Sequence, residues 1–356
     1  MTRVVIMAGG TGGHVFPALA LADELRRRQV LVSWLGTKAG IESRLVPQAN
    51  IDIDYLSVEG VRGRGLLGLL KAPFFIGRAI VQSLKVLKSL KPDVVVGFGG
   101  FASGPGGVAA KLLGVPLVIH EQNAIAGTTN KILSRVAIKT LTGFENVFAQ
   151  GLWVGNPVRA SIQALPEPSV RYAARGEEPL RLLVLGGSLG ALAINELVPS
   201  AVALIEESQR PQIRHQCGAK HVEITSAAYV KAQVKAKVEP FIEDMSEAYG
   251  WADYVICRAG ALTVAELASA GVAALLVPLP SAIDDHQTHN AAVLAGGGAA
   301  LSVAQRDLNS QTLADLLHQH CAKRSTLLGM AENARKVDRP EAVQSVANQI
   351  EELANG

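Results

Sequence analysis

Four glycines fall within five residues at Gly9-Gly10-Thr11-Gly12-Gly13, and His14 follows directly. Glycine lets the main chain turn tightly and approach an anion, and a helix beginning here would aim its unpaired N–H groups at the same point. The chemistry indicated is phosphate binding. A dinucleotide loop fits poorly, because counting G-x-G-x-x-G from Gly10 puts Val15 where the last Gly or Ala belongs. No Walker lysine follows, and the next strand runs into Gly36-Thr37-Lys38 with no acid to hold a ribose diol in the NAD manner. Two more glycine loops follow apolar runs, Gly97 to Gly107 and Gly186-Gly187-Ser188-Leu189-Gly190-Ala191. The Ser188 hydroxyl suits both a helix cap and a phosphate contact. One phosphate needs one such loop, so several imply a diphosphate donor and a second phosphorylated or bulky partner.

Titratable residues cluster beside these loops. Imidazole is the side chain best placed for proton transfer near neutrality, which makes His14 a candidate base. His120-Glu121-Gln122-Asn123 follows another apolar run, and Glu121 is a second candidate if its surroundings raise its pKa. Thr263 and Glu266 have capping-box spacing; Glu266 either caps its own helix or accepts hydrogen bonds from a sugar diol. Asp284-Asp285-His286-Gln287-Thr288-His289-Asn290 is densely polar. Its two histidines are i,i+3 rather than the i,i+4 of a zinc helix, so no metal is expected and Gln287 reads better as a sugar contact. Cys217, Cys257 and Cys321 are too few and too scattered for a disulfide framework, which points to a reducing cytoplasm.

The elements that position these groups repeat as strand, loop and helix. Short apolar runs at 4–8, 31–35, 93–96, 116–119 and 136–141 are separated by helical stretches, one with Pro17 in a first-turn position. A polar stretch with Pro166, Pro168 and Pro179 reads as a linker or surface loop. Strands follow at 182–185, 253–256 and 272–277, and a last helix at about 341–353. The expectation is α/β: two Rossmann-like doubly wound domains facing a cleft, 1–160 and 161–340. The segment 341–356 is a C-terminal helix able to pack back on the first domain.

Composition narrows the function. The chain has 356 residues, 49% hydrophobic but only 4% aromatic, with 34 basic against 31 acidic groups, so neither a DNA- or RNA-binding field nor a stacking surface is indicated. The charge is uneven, however. Residues 60–92 carry seven basic groups and no acidic one, and the remainder sums to −4. Among those cations (Arg62, Arg64, Lys71, Arg78, Lys85, Lys88, Lys91) lie Leu66, Leu67, Leu69, Leu70, Phe74, Phe75 and Ile76. Apolar groups beside cations suit an anionic lipid surface, with contact at Leu66, Leu69, Leu70, Lys71, Phe74, Phe75 and Arg78. Ile76, Ile80, Leu84 and Leu87 instead have the spacing of a core-facing stripe. Lys71, Pro73 and Arg78 interrupt the stretch, so no membrane span is expected, and the N-terminus does not read as a signal peptide.

In order along the chain, Gly10-Thr11-Gly12-Gly13-His14-Val15-Phe16-Pro17, Gly104-Pro105-Gly106-Gly107, His120-Glu121-Gln122-Asn123, Gly155-Asn156-Pro157-Val158-Arg159, Gly186 to Ala191, Arg258 to Glu266 and His286 to Ala291 together resemble the MurG family. The resemblance spans nearly the whole chain. It implies the GT-B architecture and inverting transfer of N-acetylglucosamine (GlcNAc) from UDP-GlcNAc to the muramoyl 4-hydroxyl of lipid I (undecaprenyl-pyrophosphoryl-MurNAc-pentapeptide), giving lipid II for peptidoglycan. It implies Arg159 and Ser188 on the donor diphosphate, Ile242 on uracil through its backbone, and Glu266 on the ribose hydroxyls. Ala261, Leu262, Thr263, Val264 and Ala265 would line the nucleotide, Asn123 and Gln287 would touch GlcNAc, and Thr11, Gly12 and Gly13 would lie between donor and acceptor. No metal cofactor is implied. The expected location is peripheral, on the cytoplasmic face of the inner membrane, with cell-wall synthesis proteins as further partners. Phe101 stands where family members often carry Tyr. Competing readings are a UDP-GlcNAc epimerase of the same architecture and a non-catalytic, membrane-recruited nucleotide-sugar-binding subunit.

Overall fold

The computed structural model describes residues 1–57, 65–176, 178–187, 190–321 and 323–355, with the side chains of 65–72, 283 and 321 left out. The chain forms two compact units, 1–159 with 339–356, and 160–338.

In the first unit, among the described residues, seven strands form one sheet: β1 (Arg3–Met7), β2 (Leu31–Thr37), β3 (Asp52–Leu56), β4 (Val94–Gly97), β5 (Leu117–Glu121), β6 (Lys139–Thr142) and β7 (Leu152–Trp153). Their order is β3-β2-β1-β4-β5-β6-β7, and each pairing is parallel. β1, β4 and β5 are apolar because helices cover both faces; Val4, Ile6, Val94, Val96 and Val118 point to one core and Val5, Met7, Val95, Leu117 and Ile119 to the other.

The first helix, Gly12–Arg27, starts inside the glycine loop, so Pro17 is an interior residue and not in the first turn. The strand expected at 136–141 begins at Lys139, because Val136 and Ala137 still bond back to the Leu133 carbonyl and close the preceding helix.

Helix Gly65–Leu90 has 26 residues, roughly 39 Å, and β4 has four, roughly 13 Å. Its second half buries Ala79, Ser83 and Leu87 at i,i+4 spacing against the sheet. Ile76, expected on that stripe, is exposed together with Phe74, Phe75 and Arg78 one turn beyond the buried face. The lipid-contact residues Leu66, Leu69, Leu70 and Lys71 lie outside the described side chains. No described helix is long and apolar enough to cross a membrane.

The chain returns to this unit at Arg339, whose guanidinium stacks 3.6 Å from the Trp153 ring centroid. Helix Ala342–Asn355 then buries Val343, Val346, Ala347 and Ile350 at helical spacing. Val346 and Ile350 contribute about 1.5–3 kcal/mol each. Arg28–Glu351 (2.7 Å) and Lys139–Glu352 (2.6 Å) ion pairs flank the apolar seam.

The second unit repeats the order: β8 (Arg181–Leu185), β9 (Gln212–Gln216), β10 (Lys237–Glu239), β11 (Tyr254–Cys257), β12 (Ala273–Leu276) and β13 (Ala300–Ser302) form the parallel sheet β10-β9-β8-β11-β12-β13. Each unit is thus a Rossmann-like doubly wound domain.

The proline-punctuated stretch is more than a loop. Pro168 starts helix Pro168–Ala173, and buried Arg171 donates to the carbonyls of Pro166, Tyr249, Ala270 and Gly271. Burial pushes this guanidinium down to about 10. Asp253, fully buried, accepts from Arg175 (3.0 Å), Arg324 (3.3 Å) and the Arg181 N–H (3.0 Å). Burying a carboxylate is costly unless hydrogen-bonding partners such as these meet it.

Candidate active site

Doubly wound sheets bind ligands at the carboxyl ends of the strands, where the strand order reverses. In the first unit that point lies between β1 and β4, so the loops 8–11 and 98–102 adjoin. Gly100 makes the crossing: its φ is +81°, and a Cβ there would lie 2.3 Å from the Gly9 carbonyl oxygen. Thr11 is extended at the N-cap (φ −119°, ψ 161°), and its carbonyl accepts from the His14 and Val15 N–H groups, both at 3.2 Å. Gly12 and Gly13 are the first two helical residues, so their N–H groups precede the intrahelical ladder. A 16-residue helix therefore directs its positive end through the glycine loop.

Beneath the loop sits Glu42, completely buried. Its Oε2 accepts from Gly10 N–H at 3.0 Å, and its Oε1 accepts from Thr37 N–H (2.9 Å) and Oγ1 (2.7 Å). This carboxylate ties the glycine loop to the end of β2.

His14, half-buried, faces the loop after β5. Its Nδ1 lies 2.8 Å from Gln122 Oε1. Gln122 Nε2 lies 2.8 Å from the His120 carbonyl oxygen and 3.1 Å from His120 Nδ1. His120 Nε2 in turn lies 2.9 Å from the Gly155 carbonyl oxygen, and Phe98 stacks on the His120 ring at 5.3 Å. Burial pushes His120 down to about 4, so its imidazole is neutral at physiological pH. Glu121 has both oxygens engaged: Oε1 accepts from Asn123 N–H and Nδ2 (3.0 Å each), and Oε2 from Gly127 N–H (3.0 Å) and Asn130 Nδ2 (2.9 Å). It is buried as the organiser of the 121–130 turn, a setting that opposes its reading as a base. Arg159 holds its guanidinium 5.2 Å from the Phe16 ring centroid, beside the same helix start.

In the second unit the reversal lies between β8 and β11. Gly187 exchanges two hydrogen bonds with the Gln216 amide (3.0 and 2.9 Å), which fixes the loop after β8 to the end of β9. Helix Ala261–Ala270 starts after β11 with Gly260 at its N-cap. Thr263 is therefore the third helical residue and cannot be the capping member of a box with Glu266. Glu266 is buried and accepts from the Tyr249 hydroxyl at 3.1 Å. After β12, Gln287 Oε1 accepts from Ala259 N–H (3.2 Å) and Leu279 N–H (2.9 Å), which fixes its amide against the ends of β11 and β12. Two consecutive left-handed residues, Asp284 (φ 54°) and Asp285 (φ 51°), make the turn that delivers Gln287 into helix His286–Gly296. Ile242, buried, follows β10. Among the described residues no three His, Cys, Asp or Glu side chains converge on a metal-sized site.

Two family models match: the glycosyltransferase family 28 N-terminal domain over residues 4–142 and its C-terminal domain over 181–350. UDP-N-acetylglucosamine–N-acetylmuramyl-(pentapeptide) pyrophosphoryl-undecaprenol N-acetylglucosamine transferases are similar over full length. The one from Cellvibrio japonicus is 58% identical across 99% of both chains. The one from Aeromonas hydrophila is 51% identical across 99% of this chain and 97% of its own. The crystal structure of Acinetobacter baumannii MurG superposes with a TM-score of 0.84 at 45% identity, covering 99% of this chain and 100% of that one. The chain belongs to the MurG family of glycosyltransferases.

A UDP-GlcNAc 2-epimerase from Neisseria meningitidis has a TM-score of 0.69 at 12% identity, covering 99% of this chain and 100% of that one, a likeness of fold alone. Within the MurG-family chain, the structure gathers Thr11, Gly12, Gly13 and His14 at one helix start, with Arg159 on Phe16 beside it. Asn123 lies in the turn that Glu121 organises. Ile242, the 261–266 run and Gln287 all follow carboxyl ends of the second sheet. Ser188 lies outside the described residues. Phe101, in the position where the family often has Tyr, is half exposed on the β4 loop. Sequence reading missed Glu42, Tyr249 and the structural role of Gln122. Glu42 is a lone acid after Gly40-Ile41, and nothing in its neighbours signals that it reaches Gly10, 32 positions away.

Proposed function

We infer that this chain transfers GlcNAc from UDP-GlcNAc to the muramoyl 4-hydroxyl of undecaprenyl-pyrophosphoryl-MurNAc-pentapeptide, forming lipid II. The observation that carries this reading is the 58% identity, across 99% of both chains, with a relative bearing that activity in its name. In an inverting displacement the acceptor oxygen bonds to C1 of GlcNAc as the C1–O bond to the diphosphate breaks. The hydroxyl proton passes to a base and UDP departs with the electron pair. His14 is the base in this reading, since Glu121 has its oxygens committed to the loop. Arg159, Ser188 and the glycine-loop N–H groups offset the charge of the departing diphosphate, a role that helix starts perform by placing fixed dipoles where charge develops. Glu266 takes the ribose hydroxyls, Ile242 and residues 261–265 the nucleoside, and Asn123 and Gln287 the sugar. The anchoring of Gln287 Oε1 to the Ala259 and Leu279 N–H groups, at the carboxyl ends of two central strands, supports that assignment.

The donor charge is met by protein groups in this scheme, so turnover persists in EDTA; complete loss restored by magnesium would overturn it. The exposed Phe74, Phe75 and Ile76 beside Arg78, with Lys85 and Lys88 exposed further along the same helix, support a peripheral station on anionic lipid at the cytoplasmic face of the inner membrane, where the acceptor's lipid tail resides. Cell-wall synthesis proteins would be its neighbours there. Sedimentation with anionic but not neutral vesicles is the expected result, and equal recovery with both would discard the electrostatic part. The function itself is tested with purified chain, radiolabelled UDP-GlcNAc and a lipid I analogue. Label should move to the lipid. Isomerised sugar without acceptor would favour the epimerase, and a need for a second protein would favour the binding-subunit reading.

A further inference from the structure

The reading of His14 as a base leaves open which ring nitrogen receives the proton, and two hydrogen bonds of the Gln122 side-chain amide decide it. Gln122 Nε2 sits 2.8 Å from the main-chain oxygen of His120, an atom that can only accept. That end of the amide must therefore be the NH2 group. Its other end, Oε1, can only accept and lies 2.8 Å from His14 Nδ1, so Nδ1 must carry the hydrogen. His120 is consistent with this orientation: its Nε2 donates to the Gly155 carbonyl at 2.9 Å, which leaves Nδ1 a lone pair for the second Gln122 N–H at 3.1 Å. Asn156 Nδ2 donates to the Gln122 carbonyl at 3.0 Å and holds the residue's main chain. Gln122 and His120 are both buried, so water does not compete for these bonds.

We propose that Gln122 is a positioning residue that locks neutral His14 as its Nδ1–H tautomer and so presents Nε2 as the proton acceptor for the acceptor hydroxyl, with His120 fixing the Gln122 amide from behind. Free histidine prefers the opposite tautomer, with hydrogen on Nε2, which could not accept a proton from a substrate on that side. The chain Gly155–His120–Gln122–His14 does for this imidazole what a buried carboxylate does in other base-orienting arrangements, but without a charge. Gly99 completes the pocket: a Cβ there would lie 3.1 Å from His14 Cε1, so the bare glycine lets the ring lie against the loop after β4.

The inference rests on the base reading, and the test separates the two. Long-range proton–nitrogen correlation spectra of chain labelled with 15N-histidine, with His14 assigned by difference from His14→Gln, report the tautomer directly. The expected wild-type result is a protonated Nδ1 and a bare Nε2. A wild-type spectrum with hydrogen on Nε2 overturns the proposal without any variant being needed. In Gln122→Met, which keeps the volume and removes the acceptor, the tautomer should redistribute. Its kcat should fall roughly 10- to 10³-fold, the range of a misplaced general base, while KM for UDP-GlcNAc stays within about twofold. Gln122→Met with undiminished kcat and an unchanged His14 spectrum would sink the relay even if His14→Ala is inactive. Full turnover in His14→Ala would instead sink the base reading beneath it.

Discussion

Two buried histidines make each domain acid-sensitive in a defined window. In the first unit His120 is held at about 4, and in the second His215 at about 3, in both cases mainly because burial disfavours the imidazolium. His215 is ringed by neutral partners, with Nδ1 2.9 Å from the Tyr229 hydroxyl and Nε2 3.0 Å from Asn195 Oδ1. Once unfolded, each imidazole regains its ordinary pKa near 6.5, so below that pH the unfolded state binds a proton the native state refuses. Stability is therefore complete above about pH 6.5 and falls as the pH drops toward the folded values. The slope is about 1.4 kcal/mol per pH unit per histidine, which amounts to roughly 2 kcal/mol per domain at pH 5. Against a domain stability of about 5–15 kcal/mol this shifts a denaturation midpoint measurably. Urea unfolding at pH 7.5 and 5.0 reads it out, and the tryptophans separate the domains: Trp34 and Trp153 report the first, Trp251 the second. In Trp251→Phe chain the first-domain midpoint should drop on acidification, and His120→Gln should flatten that drop. A first-domain midpoint equal at both pH values would refute the buried-neutral-histidine argument.

Replacing Gly100 by Ala puts a methyl group 2.3 Å from the Gly9 oxygen at a φ that costs a side chain about 1–2 kcal/mol. A lower melting temperature and a kcat reduced about tenfold or more are expected; wild-type values for both would show that the two loops do not cross as described. Glu42→Ala strands the part-buried N–H of Gly10 and the buried N–H of Thr37, the latter at about 1–3 kcal/mol, so calorimetry should show clear destabilisation of the first domain. Glu266→Gln weakens an acceptor for the ribose hydroxyls by about 1.5–3 kcal/mol, which should raise KM for UDP-GlcNAc roughly 10- to 100-fold with little change in kcat. An unchanged KM would leave Glu266 a structural residue that holds the Tyr249 hydroxyl.

The central strands of both sheets were legible because burial on two faces writes itself as unbroken apolar runs, as in Val4-Val5-Ile6-Met7 and Leu182-Leu183-Val184-Leu185. β3, β7, β9, β10 and β13 were not. They lie at or next to sheet edges, and sequences such as Gln212-Ile213-Arg214-His215-Gln216 carry polar side chains without an apolar run. The glycine loops were legible as strand-to-helix turns from their composition alone, as at Gly12, where the first helix begins. Pro17 misled because glycine is a poor helix former, so Gly12 and Gly13 did not announce that the helix had already begun. Arg171 lies in the stretch that read as a linker or surface loop, and nothing local reveals that four carbonyl oxygens converge on it. The link from His14 to Gln122 spans 108 positions and exists only once β1 and β5 share a sheet, so it could be read only from the folded chain.

The sharpest measurement follows the anomeric carbon itself. Purified chain is mixed with UDP-GlcNAc carrying 13C at C1 and a soluble-tailed lipid I analogue, and the carbon spectrum is recorded through the reaction. The account predicts that the α-linked donor signal gives way to a single β-glycosidic signal attached to the muramoyl 4-oxygen, and that nothing changes when acceptor is omitted. Product with retained α configuration, or consumption of donor without acceptor, would contradict it.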